Sequence, residues 1–558
     1  MKLLSIPTLL VGLLFTLPSF AASPSAIFHQ FTYEGKDSVF TKPPAQGEYQ
    51  NPILAGFFPD PSIVRVDEDY YLVNSSFSYF PGVPIFHSKD LVNWKSLGHI
   101  LVTPKQLPLK NQQVSRGIYA PTLRYHKGVF YLITTLVDVR GNFIVTATNP
   151  AGPWSDPIEL PEVGGIDPDI FFDDDGKVYI AHNEAPIGEP LYQGHRAIWL
   201  WEFDLKTKKI IKDSGRVIVN GGVDFKQKPV WIEGPHIYKI NGWYYLLCAE
   251  GGTSVDHSQV VFRTRNLKDP FVPFEHNPIL TQRDLDENRI NPITAVGHAD
   301  LVQTKEGEWW AVFLGTRSYD KKFFNTGRET FLLPVSWKNE WPIILDKGKA
   351  VPYTLKAPAI AKRTENASPL TGNFTWRDEF NSATLKPEWN ILGTPENDWY
   401  TLNSATKTLS IAASPNRLSG LAQPAFIGRR QQHTHFDATT TVELPTTETL
   451  SVGIAAFQSE ASHYYFAVKL KGNKYHLFVE KHDKAAPVNV ANLSLTKNSF
   501  EKNITLGIEG NAGKISFYYR NNAGKRVNLL ESADATMLST EVAGGFVGTY
   551  LGMHTRIE

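Results

Sequence analysis

The chain has 558 residues, more than one hydrophobic core usually holds, so more than one domain is expected. Lys plus Arg and Asp plus Glu both number 56, a balance that gives no support for a nucleic-acid or anionic-membrane partner. The 13 Trp, 22 Tyr and 33 Phe, with abundant Gly and Pro, argue for β structure with many turns and offer aromatic faces that suit sugar rings as well as cores.

The first element in chain order is a leader. Lys2 is followed by an apolar stretch from Leu3 to Leu17, too short and interrupted to span a bilayer comfortably, and then by Ser19-Phe20-Ala21. Residues 1–21 read as a signal peptide cleaved after Ala21 or Ala22, which points to a secreted or periplasmic protein. No other long apolar run occurs, so a membrane partner is not expected. The one cysteine, Cys248, lies in the apolar strand Tyr244-Tyr245-Leu246-Leu247-Cys248 and is expected to be a buried, inert thiol.

Five repeat units follow. They open with Asp60-Pro61-Ser62-Ile63-Val64, Ala120-Pro121-Thr122-Leu123, Asp167-Pro168-Asp169-Ile170, Glu233-Gly234-Pro235-His236-Ile237 and His298-Ala299-Asp300-Leu301. Each continues through a polar turn into an aromatic strand, such as Tyr70-Tyr71-Leu72 or Trp309-Trp310-Ala311. This is a hairpin pattern, and its five recurrences predict a five-bladed β-propeller over residues 46–360. One position aligns across all units: Asp60, Ala120, Asp167, Glu233 and His298. The innermost strand of a blade lines the central channel, so Asp60, Asp167 and Glu233 are expected to converge at one mouth. Three carboxylates facing one another are costly to ionise together; a fold does not need them, whereas chemistry does. Asp169, Asp173, Asp174 and Asp175 fall off the aligned position or in the turn and are expected at the surface.

Residues 361–372 read as a polar linker, and 373–558 as a β-sandwich that packs on the propeller, from alternating patterning with turns such as Gly472-Asn473. The whole is therefore an all-β protein, a five-bladed propeller followed by a C-terminal sandwich.

Several motifs resemble glycoside hydrolase family 43: Asn51-Pro52-Ile53-Leu54-Ala55-Gly56-Phe57-Phe58-Pro59-Asp60-Pro61-Ser62, Gly165-Ile166-Asp167-Pro168, Ile232-Glu233-Gly234-Pro235-His236 and Gly297-His298-Ala299. The C-terminal half resembles the sandwich of the family's β-xylosidase branch, with Asp378-Glu379-Phe380, Gly428-Arg429-Arg430-Gln431 and Gly545-Phe546-Val547-Gly548. The resemblance implies an exo-acting, inverting hydrolase that releases terminal pentose, β-D-xylose or α-L-arabinofuranose or both, from xylan- or arabinoxylan-derived oligosaccharides. It implies Asp60 as general base, Glu233 as general acid and Asp167 as the residue that tunes and orients the acid. Inversion needs those outer carboxyls about 6.5–9.5 Å apart, so that a water fits beside the sugar. Phe77 and Tyr119 match aromatic walls of the sugar site, although the family usually carries tryptophan at the second. Arg328 matches an active-site arginine, and Phe546 a sandwich residue that closes the pocket. His298 would sit beneath the sugar. Some members hold calcium in the channel with such a histidine, but no run of oxygen ligands demands one here, so no cofactor is required and a structural calcium near His298 stays open. An arabinanase-type hydrolase and a non-catalytic carbohydrate-binding propeller are the alternatives; a retaining fructan-cleaving enzyme would normally carry an Asn-Asp-Pro-Asn-Gly type motif, which is not seen. Oligomeric state is not legible.

Overall fold

Each repeat unit folds as the inner antiparallel pair of a blade. In the computed structural model these pairs are Ser62–Val66 with Asp69–Val73, Thr122–His126 with Val129–Val137, and Ile166–Phe172 with Val178–Glu184. The last two are Glu233–Ile240 with Trp243–Glu250, and Ile293–Gln303 with Trp309–Arg317. Outer strands complete each blade by further antiparallel pairing, and the five blades form a propeller. The ring closes where Glu48–Gln50 pairs with Thr354–Lys356, joining the two ends of the propeller. The structure describes residues 24–361 and 370–558; the leader assigned to residues 1–21 and most of the linker lie outside the described residues. Cys248 is buried, as expected, and burial pushes its thiol well up. No helix among the described residues is long and apolar enough to cross a membrane.

The second unit is a sandwich of two eight-stranded sheets. One of its inner strands comes from the opposite end of the chain. Ser25–Gly35 pairs with Thr375–Asp378, Thr408–Ala412 and His435–Glu443, and its Phe28, Phe31 and Tyr33 enter the sandwich core beside Trp376 and Trp389. Burying each such side chain contributes about 1.5–3 kcal/mol. The other sheet ends on Tyr79–Phe80, a propeller segment that pairs with Asn390–Leu392. Tyr79 also stacks on Tyr550 of the sandwich at 3.8 Å between ring centroids. The Arg-rich motif at 428–431 acts here: Arg430 donates to the Phe57 carbonyl at 2.7 Å, just ahead of Asp60.

A buried ion cluster ties the N-terminal segment to the last blade. Arg317 donates to Asp37 at 2.5 Å, to both oxygens of Glu329 at 2.7 and 3.0 Å, and to the Gln432 carbonyl at 2.7 Å. Burial alone would raise the Asp37 carboxyl, but Arg317, His435, His433 and Thr434 together hold it well below the usual carboxylate range. Arg317→Met strands two buried carboxylates. It is expected to cost about 3–5 kcal/mol, read as a lowered midpoint in urea denaturation; an unchanged midpoint would show that the cluster does not secure the two units.

Candidate active site

The chain reaches the channel mouth in an unusual backbone conformation. Asp60, Asp167 and His298 have φ of 50°, 56° and 53°, in the left-handed region that costs a non-glycine residue about 1–3 kcal/mol. The ladder breaks at the same places. Register shifts fall between Ile166 and Asp169, between Glu233 and His236, and between Gly297 and Asp300. Such bulges re-aim side chains out of the pleat. All five aligned residues, Asp60, Ala120, Asp167, Glu233 and His298, consequently line one cavity of about 500 Å³. Gly234 is needed beside Glu233: its φ is 56°, and a Cβ there would lie 2.7 Å from His298 Nε2. Its N–H and that of Ala120 favour the charged form of the Asp167 carboxyl.

The three carboxyls have different surroundings. Asp60 accepts from Arg328 Nη1 at 2.8 Å and from the Ser75 hydroxyl at 2.5 Å, and His298 Nδ1 lies 3.9 Å from it. Glu233 is raised well above the ordinary carboxyl range, first by burial and then by the charges of Asp167 and Asp60. Arg328 and the Trp231 side chain oppose that shift. Asp167 is also pushed up, by burial and then by Asp60. Glu233 and Asp167 therefore titrate as a pair that keeps a proton near neutral pH. Repulsion from Asp167, the cause expected from the sequence, is present, but burial is the larger one. Burial lowers His298, so its ring is neutral near pH 7.

One wall is aromatic and is shared by the two domains. Phe77 and Tyr119 from the propeller meet Phe546 from the sandwich, at 6.1 and 6.0 Å between ring centroids. Arg328 sits 5.7 Å from the Phe77 ring and 5.9 Å from that of Phe546. Phe546 is held in place by its N–H, which donates to Ser115 Oγ at 3.0 Å. All the site residues selected from the sequence thus line the same cavity. Trp231, Arg196, Arg116 and Asn183 line it too and were not selected; the position of Trp231, two residues before Glu233, was the available signal.

Below this layer the channel is filled by a second one. Arg124 bridges Asp169 at 3.1 Å and Asp300 at 2.9 Å, and it also reaches His236 Nδ1 at 3.0 Å and the Leu123 carbonyl at 3.1 Å. Ser62 and Tyr238 also donate to Asp300. Asp169 is wholly buried, and Asp173 is buried against Lys239 at 2.6 Å and Tyr244 at 2.7 Å. This corrects the surface placement expected for both; Asp174 and Asp175 are exposed. The arrangement does not suit a calcium ion at His298. The nearest carboxylate, Asp60, is already bonded to Arg328 and Ser75, and the guanidinium of Arg124 takes the cationic place between the two axial carboxylates beneath. Among the described residues no group of His, Cys, Asp and Glu is arranged to hold a metal.

Comparison with known proteins gives a consistent result. The profile of glycosyl hydrolases family 43 matches residues 49–342, and that of the beta xylosidase C-terminal concanavalin A-like domain matches 377–556. A xylosidase/arabinosidase from Butyrivibrio fibrisolvens is 36% identical over 90% of this chain and 95% of its own length. A non-reducing end alpha-L-arabinofuranosidase from Bacteroides ovatus is 36% identical over 91% of this chain and 92% of its own. A solved GH43_12 structure retrieved from a capybara gut metagenome superposes with a TM-score of 0.89 at 40% identity, covering 96% of this chain and 100% of that one. A xylan beta-1,4-xylosidase from Bacillus halodurans gives a TM-score of 0.81 at 30% identity, over 91% of this chain and 97% of that one.

Proposed function

The chain belongs to glycosyl hydrolase family 43, and from that membership and the pocket chemistry we propose that it removes terminal β-D-xylose, α-L-arabinofuranose or both from xylan- or arabinoxylan-derived oligosaccharides, with inversion. The observation that carries this reading is the division of three carboxyls in one cavity: Asp60 paired with Arg328, and Glu233 held protonated by burial and by Asp167. Asp60 takes a proton from water as the oxygen attacks the anomeric carbon. Glu233 gives its proton to the glycosidic oxygen as that bond breaks on the opposite face. Asp167 holds no reacting atom; with burial it raises the proton affinity of Glu233. Phe77, Tyr119 and Phe546 give the sugar an apolar wall, and Arg328 and His298 offer polar groups beneath it. Purified protein is expected to turn over an aryl β-xyloside, an aryl α-arabinofuranoside or both. Failure on both, and on arabinan and fructan, would overturn the proposal in favour of a binding protein.

The pH profile tests the pairing of Glu233 with Asp167. Glu233 is active when protonated, so activity is present below its raised pKa and lost as pH rises through it. Asp167→Asn removes one raising charge while burial remains. The falling limb of kcat/KM is then expected to move to lower pH without vanishing, and a limb that stays in place would remove Asp167 from the tuning role.

A further inference from the structure

The cavity has a second wall that the chemistry above does not use. Trp231 lies two residues before Glu233, and its backbone is in the left-handed region at φ 60°, a genuine outlier for so bulky a side chain. The conformation is pinned from both sides. The Trp231 N–H donates to the Gly194 carbonyl at 2.8 Å, and the Val230 carbonyl accepts from Gly251 at 2.8 Å. Strain of this kind gathers at ligand clamps and is kept only where the surroundings over-determine it.

The indole is half-buried, and the Arg196 guanidinium sits over it at 4.2 Å from the ring centroid. Among the described residues Arg196 makes no ion pair and its side chain has no hydrogen bond, so its donors are free at the cavity mouth. The Trp231 side chain also lies beside the Glu233 carboxyl and opposes the rise in its proton affinity. The two walls therefore belong to different carboxyls. Arg328, bonded to Asp60, sits against Phe77 and Phe546, whereas Trp231 sits against Glu233.

We infer that Trp231 and Arg196 form the seat of the leaving-group sugar. This rests on the hydrolase reading above. An acid must face the oxygen that departs, and the sugar carrying that oxygen must lie on the acid's side of the broken bond. A half-exposed indole gives a pyranose ring an apolar face, and an unpaired guanidinium gives its hydroxyls donors. Trp231 and Arg196 are thus substrate-binding residues that select a sugar, rather than any alcohol, as the departing group.

The test compares leaving groups in Trp231→Ala, Trp231→Phe and Arg196→Met. Xylobiose and xylotriose carry a sugar on this wall; dinitrophenyl xyloside, or the corresponding arabinofuranoside, does not. Trp231→Ala and Arg196→Met are expected to lower kcat/KM for the oligosaccharides about tenfold, mainly through KM. Both should leave kcat on the dinitrophenyl substrate, and inhibition by the free pentose in the inner site, near the wild-type values. Trp231→Phe keeps a stacking face and should recover most of the loss. Equal losses on both substrate classes, a weakened hold on free pentose, or no loss on oligosaccharides would overturn the assignment. A wild-type protein inactive on every substrate would instead sink the parent reading. Should the alanine variant fail to fold, the other two variants still decide the question.

Discussion

Glu233→Gln is expected to cut kcat/KM on xylotriose by roughly 10²–10⁴-fold, the usual worth of a general acid, while sparing a dinitrophenyl glycoside far more. The difference follows from what the departing oxygen needs. A sugar alkoxide is a strong base and cannot leave unprotonated, whereas dinitrophenolate leaves as the anion. Glutamine fills the same volume, so the packing around Gly234 and His298 stays intact and only the transferable proton is lost. The falling limb of the pH profile should go with it, because Glu233 is the group whose raised proton affinity sets that limb. Kinetics of the variant on the two substrates check this directly. Equal losses on both would take Glu233 out of the acid role.

The site was legible because the repeat reports geometry. A residue in register across five hairpins must face one axis, and Asp60, Asp167, Glu233 and His298 do line one cavity. The same logic failed one step further in. Asp169 and Asp300 sit two residues past the aligned position, so they form a second axial layer, yet Asp169 read as a surface residue because an Asp next to an Asp-rich turn looks solvated. The bulges cause much of the illegibility, since a residue inserted into a strand breaks the period of two that patterning relies on. Ser25–Gly35 shows it plainly. Ala26 and Phe28 face the core in one phase and Phe31 and Tyr33 in the other, with the shift falling between Phe28 and Gln30. The stretch therefore does not alternate as a strand should, and its place in the sandwich was hidden. Trp231 was passed over for a different reason: it stands off the aligned position, and only its place two residues before Glu233 pointed to the cavity.

Asp60→Asn should behave differently from the acid variant, and the contrast is what assigns the two roles. Water must be deprotonated as it attacks every substrate, so loss of the base is expected to lower kcat/KM by roughly 10²–10⁴-fold on dinitrophenyl glycoside and xylotriose alike. Asparagine keeps an oxygen for the Arg328 donor now 2.8 Å from Asp60 Oδ1, and the Ser75 hydroxyl that now donates to Oδ2 can turn to accept from the new amide. The fold should survive, which near-unchanged binding of free pentose would verify. In the wild type, attack from the face opposite the leaving group requires that a β-xyloside first release α-xylose, visible by proton NMR before mutarotation. A β-anomer as first product would mean that a carboxylate attacks the sugar itself. Asp60 would then be a nucleophile, and the water-activating role argued from its pairing with Arg328 and Ser75 would fall.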